Sequence, residues 1–140
     1  MLITLLRYLL LICLFFLSYW AGFYSYEKTL WFGWKQTLGG DKQAVIFWSS
    51  IAYIIILVPL YLLICYVVKI KVKRKYFRLF FYPLFCTLSF MLPTIFITTI
   101  FGGSSILSPE SQLFYVFFAS SGIIFGIGYG IISLVFDANR

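Results

Sequence analysis

Three cysteines, Cys13, Cys65 and Cys86, carry the most reactive side chains of this sequence. They are widely separated and form no Cys-x-x-Cys pair, so their spacing does not indicate thiol–disulfide exchange or a zinc site. The sequence contains no histidine, the commonest metal ligand and acid–base group. We therefore predict no enzymatic activity, no metal and no cofactor, and we interpret the cysteines as small packing residues.

Acidic residues are the next class that could do chemistry, and the sequence has four: Glu27, Asp41, Glu110 and Asp137. None of them lies inside an apolar segment, whereas proton relays and ion-coupled transporters need a charged group there. Glu110 belongs to the sequence Ser108-Pro109-Glu110-Ser111, which is typical of a helix N-terminus. The acidic residues therefore do not indicate coupled transport or two-carboxylate catalysis.

The overall composition shows where these residues lie. Hydrophobic residues make up 63% of the 140 residues and charged residues 11%, against about 45–50% and 25% in soluble domains. Four apolar segments, residues 2–24, 44–68, 79–101 and 113–136, each reach the roughly 20 residues that cross a bilayer as a helix. We predict an all-α integral membrane protein, a single domain in which four transmembrane helices form an antiparallel bundle.

Positive charge is concentrated between the second and third apolar segments. Six cations and no acid lie there: Lys69, Lys71, Lys73, Arg74, Lys75 and Arg78. Short cytoplasmic loops carry an excess of Lys and Arg, so we predict that this loop and, with four spans, both termini are cytoplasmic. The cluster is also a candidate binding site for anionic lipid headgroups. A nucleic-acid role is disfavoured because a short loop between two helix ends offers no groove or stacking platform.

The four tryptophans lie away from the cationic loop, either at the far ends of the first two segments or between these segments: Trp20, Trp31, Trp34 and Trp48. Amphipathic rings of this kind anchor helices at the level of the lipid headgroups. We predict that residues 25–43 form an outer loop, whose aromatic centre lies flat in the interface or presents a recognition surface to a partner.

Small residues follow a regular pattern in the fourth segment, where Gly122, Gly126 and Gly130 recur at every fourth position. Such a stripe lies on one face of a helix and lets another helix approach closely. Two interpretations stay open: packing within this bundle, and docking of a partner or a second copy.

The third segment combines Pro83 and Pro93 with hydroxyl residues, among them Thr94, Thr98 and Thr99. Pro93 is the predicted kink, because a proline inside a helix frees a backbone carbonyl that a nearby hydroxyl can bond. The hydroxyls either serve this packing role or border a path for a small solute.

These features favour a small non-enzymatic protein of a bacterial plasma membrane, acting through helix–helix and loop contacts with another membrane component. It would be an accessory subunit of a larger complex, or an immunity protein against a toxin or bacteriocin. The alternative is a subunit of a small oligomeric channel or facilitative transporter. The expected partners are the lipid bilayer and a membrane protein or a second copy, with no nucleic acid.

Overall fold

The computed structural model describes residues 2–101 and 108–137. Within this part of the chain, four helical spans are long and apolar enough to cross a membrane. The elements are α1 (Leu2–Trp34), a 3₁₀ turn (Gly39–Asp41), α2 (Lys42–Ala52), a π-helical segment (Tyr53–Leu57), α3 (Val58–Lys71), α4 (Lys75–Phe101) and α5 (Pro109–Asp137). The predicted helical class is confirmed, and so are four helices of spanning length, the second of which comprises α2, the π-helical segment and α3.

The first helix is longer than the sequence predicts. Residues 25–34 are helical, so the predicted loop 25–43 is wrong over these ten positions. The helix continues because its side chains still pack against the rest of the protein beyond the apolar segment, as the buried side chain of Leu30 shows. The helix ends at Trp34, and the next residue, Lys35, adopts a left-handed φ of 55° and donates its N–H to the Trp31 carbonyl at 2.9 Å.

The π-helical segment of the second span precedes Pro59. A proline has no N–H, and its ring clashes with the carbonyl four residues earlier, here that of Ile55. In the wider turn the Val58 N–H bonds the Tyr53 carbonyl, five residues back. Inside a membrane no water replaces a lost backbone bond, so this change of partner keeps the segment helical.

Helices α4 and α5 run antiparallel. Along α5, Gly126 contacts Pro83 of α4, and Gly130, one turn later, contacts Leu79, one turn earlier. Helices α1 and α4 both pack closely along α5. The second span contacts α4 and α5 less extensively and reaches α1 mainly through large side chains. The compact part of the bundle is therefore α1, α5 and α4, with the second span attached beside it.

Aromatic rings fill the middle of the bundle. The ring of Tyr61 stacks on Phe125 at a centroid distance of 4.9 Å, and Phe15 stacks on Phe125 at 5.5 Å. Phe90 and Phe118 stack at 5.1 Å. Such offset pairs add attraction to the large area that each ring buries. The rings occupy the space that a pore through a single bundle would need.

Candidate functional site

Four buried hydroxyl side chains, which we call the hydroxyl cluster, join three of the spans: Ser18, Tyr53, Tyr61 and Ser121. Tyr53 Oη donates to Ser18 Oγ at 2.7 Å, and Ser18 Oγ donates to the Ser121 carbonyl at 2.8 Å. The Oη of Tyr61 lies 2.9 Å from Ser121 Oγ, within hydrogen-bond distance. All four side chains are at most 2% exposed. The cluster thereby links α1 and α5 to the second span.

The hydroxyl cluster satisfies polar groups that would otherwise be costly in an apolar setting. Interhelical hydrogen bonds of this kind contribute about 0.6 kcal/mol each in membranes, and at most about 1.7. None of the four residues of the hydroxyl cluster was predicted from the sequence as part of a site. A detectable signal was the spacing of four residues from Tyr53 to Leu57 to Tyr61, which places both tyrosines on one helix face.

Two further contacts hold α2 against the end of α1. The Tyr19 hydroxyl lies 2.8 Å from Ser49 Oγ and donates to the Ile46 carbonyl at 3.2 Å. The Lys42 ammonium forms an ion pair with Glu27, with Nζ 2.7 Å from Oε1. These polar links fix α2 at separate points rather than along a continuous helix seam.

Two apolar grooves run on either side of α2. The α1/α2 groove has a volume of about 450 Å³ and lies between Phe16 and Trp20 of α1 and Ile46 and Ile54 of the second span. The α2/α5 groove has a volume of about 340 Å³ and lies between Trp48 and Ala52 of α2 and Phe114 and Phe118 of α5. Tyr53 lines both grooves. The second span therefore separates two clefts that an apolar side chain or acyl chain can enter.

The glycine stripe of α5 faces α4. A Cβ atom at Gly122 would approach the Thr87 backbone to 2.9 Å, and one at Gly126 would overlap the backbone of Pro83. A Cβ at Gly130 would meet Leu79. Of the two interpretations of Gly122, Gly126 and Gly130, the geometry matches packing within the bundle, because α4 already occupies the face on which a partner would dock.

The six cations crowd at one end of the bundle, which we call the cationic end. Lys69 and Lys71 lie in the last turn of α3, Lys75 and Arg78 lie at the start of α4, and residues 72–74 connect the two helices. Arg78 Nε donates to the Val72 carbonyl at 2.6 Å. Cations at a helix C-terminus are favourable and cations at an N-terminus are not, so helix stability alone does not account for all six.

The four tryptophans lie at or toward the opposite end of the bundle, which we call the tryptophan end. Trp20 and Trp48 are exposed on α1 and α2, whereas Trp31 and Trp34 belong to the last turn of α1 and not to a loop. At 1.5 Å per residue, Trp20 and Trp31 are about 16 Å apart along the helix. The tryptophan rings therefore lie at two levels along the bundle rather than at one.

Two of the cysteines come together in the structure. Cys65 of α3 and Cys86 of α4 are fully buried, with their Sγ atoms 4.0 Å apart, whereas Cys13 is exposed. The sequence spacing gave no indication of this contact. Among the described residues no group of three or more His, Cys, Asp or Glu side chains could hold a metal ion.

Three hydroxyls of α4 bond to their own helix, whereas the Thr87 hydroxyl is buried without a hydrogen-bond partner in the described structure. Thr99 Oγ1 donates to the Ile95 carbonyl at 2.6 Å, and Ser89 Oγ donates to the Cys86 carbonyl at 2.9 Å. Thr94 Oγ1 likewise donates to the Phe90 carbonyl at 2.7 Å. The Thr98 side chain lies outside the described part of the chain. The bonds of Ser89, Thr94 and Thr99 match the packing interpretation, because these three hydroxyls are directed to carbonyls of the preceding turn.

The predicted start of the fourth span is confirmed. Helix α5 begins at Pro109, and Ser108 Oγ accepts the Ser111 N–H at 3.3 Å, as an N-cap does. The pair Gly102-Gly103, which follows the third apolar segment and is typical of a helix end, lies outside the described residues.

The fold and these sites define a multi-pass helical membrane protein with an aromatic core. No protein-family model matches the chain. Comparison with curated proteins and with solved structures gives no match either.

Proposed function

We propose that this protein is a non-enzymatic component of a bacterial plasma membrane that acts by binding another membrane protein. The observation that supports this most is the second span, whose α2 half is flanked by a groove on each side. In lipid, helices associate through close packing and a few hydrogen bonds, so an open groove between helices is a place where a partner helix gains contacts. We propose the α2/α5 groove as this contact site.

The proposed orientation follows from charge. The cationic end lies in the cytoplasm together with both termini, since Lys and Arg are retained on that side. The tryptophan end and the two grooves beside α2 then face the outer leaflet. A partner would be met in the outer half of the membrane.

Two versions of the proposal differ in the partner. An accessory subunit binds the other subunits of a complex in the same cell, whereas an immunity protein binds a pore-forming toxin. Protection of a sensitive strain when this chain is expressed supports the second version. A stoichiometric complex with resident membrane subunits supports the first.

The test combines purification in mild detergent with a pair of matched variants. Ala52→Phe places a ring in the α2/α5 groove, and Ile55→Phe places the same ring three residues later, at an exposed position that lines neither groove. We expect a partner to co-purify with the wild type and with Ile55→Phe, and to be lost with Ala52→Phe. A pure homo-oligomer with all three forms would contradict the proposal and favour the channel or transporter alternative.

A further inference from the structure

We propose that α1 binds one phospholipid, with an acyl chain in the α1/α2 groove and the phosphate at Lys28. A lipid of this kind would be held whether or not the protein also binds a partner. The inference therefore does not rest on the proposed function.

A row of neighbouring side chains on α1 joins the groove to a cavity nearer the tryptophan end. Phe16 and Trp20 line the α1/α2 groove, and Tyr24 and Lys28 line a second cavity of about 410 Å³ at the tryptophan end. Each of these residues follows the previous one by four positions, so each is the neighbour of the next on the helix surface, and the row turns by about 120° around α1 from Phe16 to Lys28. A bound lipid would follow this oblique row from the apolar groove to the polar cavity.

The groove and the cavity also match the two chemically different parts of a phospholipid. The remaining lining of the α1/α2 groove is almost entirely apolar, which suits an acyl chain. The cavity at the tryptophan end contains Lys28 and the polar side chains of Gln36 and Thr37. An ammonium and hydrogen-bond donors are the groups that bind a phosphate ester. An amphiphile with an anionic head therefore matches the apolar groove and the polar cavity together.

The charged side chains around the cavity favour an anionic headgroup. Glu27 also lines the cavity, but Lys42 neutralises it with Nζ at 2.7 Å from Oε1. The Lys28 ammonium lies 5.4 Å from the centre of the Tyr24 ring and has no carboxylate partner within the described part of the chain. The cavity therefore carries one uncompensated positive charge, next to an aromatic ring typical of the headgroup region.

The length of the proposed site matches one leaflet of the membrane. Phe16 and Lys28 are twelve residues apart, which corresponds to about 18 Å along a helix. One leaflet, half of a bilayer roughly 40–45 Å thick, measures about 20–22 Å. A single phospholipid that follows the row of side chains from Phe16 to Lys28 is therefore long enough to reach from the groove to Lys28.

The experiment is native mass spectrometry of the full chain, titrated with dioleoyl phosphatidylglycerol and, separately, with dioleoylglycerol, which has the same chains but no phosphate. Lys28→Gln removes the proposed phosphate contact, and Lys35→Gln is the matched control, since Lys35 lies on the same helix end and lines no part of the cavity. We expect one phosphatidylglycerol per chain. Affinity should fall about fivefold in Lys28→Gln, the loss of one cation at a headgroup, and should not change in Lys35→Gln.

Dioleoylglycerol separates a headgroup effect from damage to the fold. It should bind about fivefold more weakly than phosphatidylglycerol to the wild type, and Lys28→Gln should not weaken it further. Equal affinity of the wild type for the two lipids would overturn the proposal, and so would equal losses in Lys28→Gln and Lys35→Gln. Displacement of the lipid by inorganic phosphate at millimolar concentration would also overturn it, because the site would then bind free phosphate rather than a lipid.

Discussion

Single buried side chains in this protein attach helices to one another. Each hydroxyl of the hydroxyl cluster has another hydroxyl or a backbone carbonyl as its neighbour. An activated nucleophile needs a base beside it, and hydroxyls and carbonyls of this kind do not supply one. The cluster is therefore suited to hold Tyr53 and Tyr61 against α1 and α5.

The contact between Cys65 and Cys86 leads to a prediction about helix packing. Their Sγ atoms are 4.0 Å apart, so a modest approach of the two side chains reaches the bond length of about 2.0 Å. We expect a membrane-permeant oxidant such as copper phenanthroline to join α3 to α4 in most molecules. Trypsin then provides the readout, because six cleavage sites lie between the two cysteines, at residues 69–78. The cleaved halves should migrate together on a non-reducing gel and separate after reduction.

Variants in which one cysteine at a time is replaced by serine provide the controls for this crosslink. Cys13→Ser should leave the crosslink unchanged, since Cys13 is exposed and apart from the pair. Cys65→Ser and Cys86→Ser should each abolish it. A crosslink that persists in Cys65→Ser or in Cys86→Ser would contradict the contact between these two residues of α3 and α4.

At the scale of helices, close approach depends on the glycines of α5. A methyl group at Gly126 overlaps the backbone of Pro83, which cannot rotate away as a side chain can. We predict that Gly126→Ala lowers the free energy of unfolding by about 1–3 kcal/mol, the usual cost of overpacking a filled core. The measurement is unfolding in mixed micelles of increasing SDS content, followed by far-ultraviolet circular dichroism.

Gly33→Ala is the matched control for this substitution. Gly33 lies in the last turn of α1. Apart from its chain neighbours and the backbone of its own helix, no described atom lies within 4 Å of a Cβ atom placed at Gly33. Alanine favours helix over glycine by at most about 1 kcal/mol, so this variant should be unchanged or slightly more stable. Equal unfolding midpoints for Gly126→Ala and Gly33→Ala would show that α4 does not pack on the glycine stripe.

The helices themselves were largely predictable, because a span requires only length and apolar composition. The end of α1 was not, since Glu27 and Lys28 end the apolar segment while the helix continues to Trp34. Hydropathy reports where the membrane ends and not where the helix ends. The start of α5 was predictable because Ser108 and Pro109 are local signals.

The pairing of side chains between helices was beyond prediction from one sequence. The spacing within α5 places its glycines on one face, but the identity of the helix against that face depends on how the four spans are arranged. The contact of Cys65 with Cys86 depends further on the rotation and vertical register of α3 and α4. These relative placements result from many aromatic contacts, such as Tyr61 with Phe90 at 5.6 Å, and no short pattern encodes them.

At the scale of the whole molecule, the two ends of the bundle differ sharply in chemistry. The cationic end holds six of the eleven Lys and Arg residues, whereas Lys28, Lys35 and Lys42 near the tryptophan end are matched in number by Glu27, Asp41 and Glu110. The helices exceed the roughly 30 Å of a hydrocarbon core, as α1 with its 33 residues is about 50 Å long. Both ends therefore extend into the headgroup regions, where charge determines orientation.

This asymmetry predicts that Lys73 faces the cytoplasm and Gln36 the opposite side. The test uses a background in which the three native cysteines are replaced by alanine and a single cysteine is introduced by Lys73→Cys or Gln36→Cys, both at exposed positions. In intact cells a membrane-impermeant maleimide should label the variant at position 36 and leave the variant at position 73 unlabelled. Both should react after the cells are permeabilised, which shows that each thiol is reactive. The reverse pattern in intact cells would invert the orientation and place the two grooves and the Lys28 cavity in the cytoplasmic leaflet.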